Sequence, residues 1–325
     1  MRTKTKIRKK DLRILSELDK NARQSNQKIG KRVGTSKEVV KYRIDKMIES
    51  GIIVKFHTVI NYFKLGIRKF KLYLRLKNID KKTLDRIARY FKKHKKTEWV
   101  ATATGKWDLI VGFFVKNANE FDDEVQKTLH LYSKFIAEKS ITTTLHLAHH
   151  EREFLQKNKK SKSKIIYHTL KDNQEKINKT DLDILKILTN NARMPITKIA
   201  NTLKKTPRVI QYRIKALEKK KIILAYKAHI NPKKTDKIFC KAIIYLTNLT
   251  KLRLDEFTDY ASSIKGAVWP QRVLGNWDFE LDMELESYDE FQEILRELNE
   301  KFSDIIKNHE FCIVSEEYKL DLFPQ

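Results

Sequence analysis

Cysteine is almost missing from this chain: Cys240 and Cys312 are the two in 325 residues. Two thiols form neither a disulfide framework nor a zinc-binding spacing. They are expected to be buried, apolar thiols on adjacent strands, in a reducing compartment. Long apolar runs are missing too, and no stretch approaches the ~20 residues of a membrane span. The opening Met1-Arg2-Thr3-Lys4 reads as a basic arm with no hydrophobic signal region behind it. There is no glycine-rich phosphate loop, no pair of carboxylates set for acid-base work, and no motif with a nucleophile. The nine histidines are scattered without metal-ligand spacing. No catalytic residue, metal or cofactor is expected, and the chain is read as a non-enzyme.

Acidic side chains are scarce relative to basic ones, 41 against 69, which leaves a net charge of +28. That balance implies a polyanionic partner. The excess is uneven, because residues 1–170 hold 42 basic and 17 acidic side chains. Apolar content of 41% is enough for packed cores.

What the chain has is an internal repeat with a constant offset of 170 residues. Asp11-Leu12 recurs as Asp181-Leu182, Asn21-Ala22-Arg23 as Asn191-Ala192-Arg193, and Tyr42-Arg43-Ile44 as Tyr212-Arg213-Ile214. Trp99 matches Trp269, and Gly105, Trp107 and Asp108 match Gly275, Trp277 and Asp278. His149-His150 has no counterpart. An unslipping register over this length marks the duplication of a whole unit rather than a short solenoid repeat.

Each copy opens with three helical patterns. Leu12, Leu15 and Leu18 recur at helical spacing. Ser25 caps a second helix with Ile29 and Val33, and Gly34 breaks it. Thr35-Ser36 caps a third helix that Gly51 closes. Gly30, matched by Ala200, is small where close approach is needed. In the second copy Pro195 starts the second helix and Thr206-Pro207 the third, while Lys204 stands in place of Gly34. A strand-like stretch follows, Ile52 to Ile60 and Ile222 to Ile230. Then comes a β-α-β-β-α-β order, a ferredoxin-like split βαβ whose second sheet face is left to be covered.

The fold class is therefore α+β: two tandem units, each a helix-turn-helix domain of winged-helix kind followed by a ferredoxin-like domain. The expected segments are 1–54 and 179–224 for the helix-turn-helix domains and 55–150 and 225–325 for the sheet domains. A basic linker, 151–178, lies between, with a Lys-, Ser- and Asn-rich middle at Gln156 to Lys164.

The third helices carry the chemistry. Val40, Ile44 and Met47, and Ile210, Ile214 and Leu217, fall on one face and should bury. The other face, with the caps, supplies the candidate DNA-binding residues: Ser36, Lys37, Glu38, Lys41, Tyr42 and Lys46 in the first copy, and Thr206, Arg208, Gln211, Tyr212 and Lys215 in the second. Such a helix fits the major groove. Arg208 suits guanine, Gln211 adenine, and Glu38 the amino group of cytosine. Lys41, Lys46 and Lys215 suit phosphates. Arg43 and Arg213 lie on the flank, with a structural ion pair and a DNA contact both open. The Gly-x-Trp-Asp turn is either a plain hairpin or a ligand loop, with Gly105, Asp108, Gly275 and Asp278 as the ligand candidates. Finally, Lys69, Lys71 and Arg75 share one strand face while Glu280, Asp282 and Glu284 share another. These faces are expected to meet in an intramolecular pseudo-dimer of the sheet domains, or else to be solvated.

In the order and spacing of these parts the chain resembles the Lrp/AsnC family of feast/famine transcription regulators, over nearly all of both copies. The resemblance implies double-stranded DNA as partner and sheet domains of the RAM type that dimerise face to face. It also implies an amino-acid-like effector near the Gly-x-aromatic-Asp turn, further homo-oligomers, and a cytoplasmic, nucleoid-associated location. Two other readings stay open: an enzyme resembling the siroheme decarboxylases, which pair two such units, and an architectural chromatin protein without sequence preference.

Overall fold

A computed structural model describes residues 7–155, 165–170 and 173–323. The arm at Met1 to Lys4 and the linker middle at Gln156 to Lys164 lie outside the described residues. The first copy runs α1 (Lys9–Lys20), α2 (Asn26–Val33), α3 (Lys37–Glu49), β1 (Ile53–Ile60), β2 (Arg68–Leu76), α4 (Lys81–Lys93), β3 (Thr97–Gly105), β4 (Leu109–Val115), α5 (Ala118–Tyr132) and β5 (Ile136–His149). A short β6 (Ile166–Thr169) follows. The second copy runs α6 (Lys179–Asn190), α7 (Ile196–Thr202), α8 (Pro207–Lys219), β7 (Ile223–Ile230), β8 (Ile238–Leu246), α9 (Lys251–Ser263), β9 (Ala267–Gly275), β10 (Phe279–Leu285), α10 (Tyr288–Lys301) and β11 (Ile306–Leu320).

The chain does not divide where its sequence divides. One compact unit gathers residues 1–61, 150–166 and 176–237; the other gathers 62–149, 167–175 and 238–325. Each copy thus gives its helix-turn-helix and following strand to one unit and its ferredoxin-like part to the other. Residues 55–61 and 225–237, grouped by sequence with the sheet domains, belong with the helices, because β1 and β7 pair with each other.

In the helical unit, local chemistry sets the helix ends. Ser25 accepts a hydrogen bond from the Lys28 N–H and Ser36 from the Val39 N–H. Gly34 ends α2 at φ 74°, in the left-handed region glycine favours. Lys204, its counterpart, adopts the same region at φ 51°, so the second copy keeps the turn without the glycine. A Cβ on Gly30 would sit 2.5 Å from the Thr35 carbonyl oxygen, so the small residue serves the tight α2–α3 turn.

The antiparallel β1–β7 ladder places His57 opposite Lys227. These two are counterparts in the repeat, so a local two-fold axis passes through the pair. The ladder's irregularities obey the same symmetry: Ile53 faces Ile230, and Ile60 faces Ile223.

The second unit is one sheet in the order β2-β4-β3-β11-β8-β10-β9-β5-β6, with β5 also paired to β2. Eight strands therefore close into a barrel, and β6 lies beside β5. Each copy keeps the ferredoxin-like order, and the copies join at their edges through β3–β11 and β5–β9. Helices α4 and α5 cover one apolar core, with Phe91, Phe113 and Phe121, and α9 and α10 cover its equivalent, with Phe257, Phe291 and Phe302. The opposite faces enclose a shared interior that includes Tyr73, Trp107, Phe239 and Trp277. Cys240 and Cys312 lie on the paired strands β8 and β11 as free, buried thiols, and burial pushes them up to about 12 and about 11. No helix among the described residues is long and apolar enough to cross a membrane.

Candidate nucleic-acid interface

Helices α3 and α8 bury the residues expected of them, Val40, Ile44 and Met47 against Ile210, Ile214 and Leu217. Their outer faces are exposed at Lys37, Glu38, Lys41 and Lys46, and at Arg208, Gln211 and Lys215. Tyr42 and Tyr212 stand out at 63% and 73% exposure, far more than a packing role needs. Ser36 and Thr206 are the N-caps, each accepting from the N–H three residues on. Lys46 pairs with Glu49 at 2.7 Å and lies over the Tyr42 ring. Glu38 is held below the usual carboxylate range, first by its own backbone N–H and then by Ser36 and Lys37. It therefore remains an acceptor at neutral pH. Arg43 and Arg213 resolve as structural ion pairs, to Asp11 at 2.7 Å and Asp181 at 3.1 Å.

The two helix-turn-helix modules are locked reciprocally by residues the sequence displayed without revealing their use. Arg23 Nη1 donates to the Ala192 and Met194 carbonyls at 2.6 and 3.0 Å. Arg193 donates to the Ala22 and Gln24 carbonyls and to Asn26 Oδ1. The Ala22 N–H reaches the Tyr226 carbonyl at 2.8 Å, and the Ala192 N–H reaches that of Phe56 at 3.0 Å. The repeated Asn-Ala-Arg was the available signal; its use is to hold the other copy.

A second cluster breaks the symmetry. Arg152 donates to Asp19 through its backbone N–H at 2.7 Å and its guanidinium at 3.0 Å. Lys227 lies 3.7 Å from the same carboxylate. All three are buried. The counterparts of Asp19 and Lys227 are Thr189 and His57, so among the described residues the other side has no equivalent ion cluster.

In the sheet unit, the Gly-x-Trp-Asp residues serve packing. A Cβ on Gly105 would lie 2.4 Å from the Phe311 carbonyl oxygen, and one on Gly275 would lie 2.4 Å from that of Ile141. Both glycines admit the edge strand of the other copy. Asp108 accepts from the Leu76 N–H at 2.7 Å and Asp278 from the Leu246 N–H at 2.8 Å, tying each hairpin to a neighbouring strand. Trp107 and Trp277 are buried with ring centroids 6.1 Å apart.

The charged strand faces meet in part. Lys71 donates to Glu280 and, at 2.7 Å, to Gln271. Lys241 contacts Glu280 at 2.9 Å and Asp282 at 2.6 Å. Trp277 Nε1 donates to Glu280 at 3.2 Å. Lys69 instead pairs with Glu98 of its own copy at 3.0 Å. Arg75 is half-exposed and turns to the Gly105 carbonyl and Asp108, because its position near the strand end leaves it outside the interior. Arg75 apart, these are buried groups, not a solvated face. Burial alone would raise the Glu280 carboxyl, yet Lys241 and Lys71 hold it far below the usual range. Burial brings Lys71 down to about 8 against the pull of Glu280. Among the described residues no group of three or more His, Cys, Asp or Glu is placed to hold a metal ion.

Comparison with known proteins agrees with this geometry. A family model described as winged helix-turn-helix DNA-binding matches residues 7–54 and 177–223. An uncharacterised HTH-type transcriptional regulator of Pyrococcus horikoshii is 33% identical over 113 residues, 34% of this chain and 75% of that protein. The HTH-type transcriptional regulator Ptr1 of Methanocaldococcus jannaschii is 29% identical over 137 residues, 40% of this chain and 78% of that protein. Among solved structures, the siroheme decarboxylase NirDL matches with a TM-score of 0.63 over 96% of this chain and 92% of its own, at 12% identity. At that identity the likeness is one of fold. The chain belongs to the Lrp/AsnC family of DNA-binding transcription regulators, with two family units fused in tandem.

Proposed function

We propose that the chain binds a specific site on double-stranded DNA through α3 and α8, and that it acts as a regulator in the cytoplasm rather than as an enzyme. The observation that carries this reading is the pair of solvent-facing third helices related by the local two-fold of β1 and β7 and locked by Arg23 and Arg193. Arg208, Gln211 and Glu38 would read bases, while Lys41, Lys46 and Lys215 would hold phosphates. Tyr42 and Tyr212, with Lys37, would line the same groove, and Ser36 and Thr206 would present the helix ends to the backbone.

Replacing Arg208 or Gln211 by Ala is expected to weaken binding by about 1–3 kcal/mol at its own half-site. Affinity should fall with salt at a log–log slope of about −0.9 per phosphate neutralised. Fluorescence anisotropy on labelled duplexes across a salt series measures both. Binding that ignores salt, or a uniform loss on every sequence, would count against base reading.

An amino-acid-like effector is proposed for the paired turns Gly105–Asp108 and Gly275–Asp278, where the Arg75 guanidinium beside Asp108 offers a carboxylate partner at 45% exposure. A thermal-shift screen of the common amino acids should find one that raises the melting temperature and loses its effect in Arg75→Ala. The enzyme reading has fold likeness as its support, and a haem-like absorption band in the purified protein would favour it.

A further inference from the structure

We infer that this chain reads DNA directionally: it binds a non-palindromic site in one fixed orientation. The inference rests on the DNA-binding reading above and concerns what differs between the two helices. Their frameworks are equivalent, with Val40, Ile44 and Met47 replaced by Ile210, Ile214 and Leu217 at the buried positions. Their exposed faces are not. Glu38 stands where the second copy has Arg208, and Asp45 where it has Lys215. Lys41 becomes Gln211, and Lys46 becomes Ala216. Two of these four changes reverse the charge.

The chemistry at the first pair is opposite. A carboxylate accepts from the cytosine amino group and is repelled by the acceptor edge of guanine, whereas a guanidinium donates in bidentate fashion to that guanine edge. A palindrome presents the same base at equivalent places in both half-sites. At the spot beneath residue 38 or 208 both half-sites of a palindrome present the same edge, donor or acceptor, which suits one of these side chains and opposes the other. Asp45 and Lys215 likewise treat an equivalent phosphate oppositely.

The two helices cannot trade places by re-pairing, because they lie on one chain whose modules pair with each other through β1–β7. Turning the protein end for end on its site would set Arg208 over the cytosine half and Glu38 over the guanine half. A wrong base costs on the order of tenfold or more, so the reversed orientation should be disfavoured by about a hundredfold. A self-pairing regulator has no such preference. This one would mark the direction of the sequence beside its site.

The test uses the full chain with one added cysteine carrying a DNA-cutting iron chelate. The native thiols are buried and do not compete. Asn201→Cys and Lys31→Cys place the chelate at equivalent exposed positions of the two modules. On a site selected from random DNA, each variant should cut one end at least tenfold more than the other, at opposite ends. A chain carrying Glu38→Arg, Lys41→Gln, Asp45→Lys and Lys46→Ala should select a palindrome and cut both ends equally. Equal cutting at both ends by Asn201→Cys and Lys31→Cys in the otherwise unchanged chain would overturn directionality and leave DNA binding standing. No retention of any duplex at low salt would overturn both.

Discussion

Replacing Glu280 by Gln should destabilise the sheet unit by about 3–5 kcal/mol, the range seen when one partner of a buried ion pair is removed. Glu280 lies between two lysines that are at most 1% exposed. The reason both depend on it is written in the register. Lys241 faces Asp282 across β8 and β10, whereas Lys71 faces Gly112 across β2 and β4. The first copy has no acid in register with its own lysine, so that lysine takes its counter-ion from the other copy. Without Glu280, Lys241 keeps Asp282, while Lys71 loses its counter-ion and keeps the neutral Gln271 amide.

All four tryptophans, Trp99, Trp107, Trp269 and Trp277, belong to the sheet unit, so denaturant unfolding followed by their fluorescence isolates the effect. Adding Lys71→Met should restore most of the loss, since it removes the stranded charge. The pH dependence has a definite sign. The folded Glu280 carboxyl titrates below its ordinary value near 4.5, so its contribution is complete above that pH and is lost as pH falls. The Glu280→Gln variant should be flatter across that acid window. An unchanged transition would show that the interior tolerates an unpaired lysine.

The second large effect is expected in the helical unit. Asp19→Ala removes the carboxylate shared by Arg152 and Lys227 and should also cost about 3–5 kcal/mol. Burial would raise the Asp19 carboxyl, but Lys227 and Arg152 overcome it and hold it below its ordinary value. The pair is thus lost only in acid. The counterpart change, Thr189→Ala, removes a hydroxyl that donates to the Leu185 carbonyl within its own helix and should cost under about 1 kcal/mol. Hydrogen exchange at the β1 and β7 amides reads the difference. Equal effects of the two substitutions would mean that the ion cluster adds nothing to the unit.

These two clusters also separate what a sequence displays from what it hides. Buried faces of α3 and α8 were legible because a 3.6-residue period is local and strong. So were the caps at Ser25, Ser36 and Thr206, and the paired hairpins of the sheet domains. Strand pairing between copies was not legible: β1 with β7, β3 with β11 and β5 with β9 join residues about 120 to 220 positions apart, and the same strands had self-complementary alternatives. Gly105 and Asp108 stood out as a motif, yet alternation cannot tell a ligand loop from a close crossing of strands.

The charged strand faces were read correctly as faces. Their burial depended on which copy covers which. Arg75 was grouped with Lys69 and Lys71 by alternation alone, although it leaves the interior. Asp19 and Gln271 carried no signal at all, since Gln271 acquires its role from Lys71 of the other copy, and Asp19 from Lys227 of the other copy and Arg152 beyond the first sheet domain. Interior charge adds a reason for pairing unlike halves. Two first-copy sheets would bring together two Lys71 groups with Ile110 and Gly112 opposite, and two second-copy sheets would bury six carboxylates, from Glu280, Asp282 and Glu284, with two lysines. Pairing one with two balances Lys71 and Lys241 against Glu280 and Asp282.

The central claim is that two different recognition helices on one chain read one DNA site. Selection of bound duplexes from a random pool, at stated salt, tests it most directly. The expected result is an enriched site with two dissimilar halves, centred about 34–36 Å apart or a multiple of that, and lost half by half in Arg208→Ala and Glu38→Ala. A pool that stays random while the protein still binds DNA would contradict it.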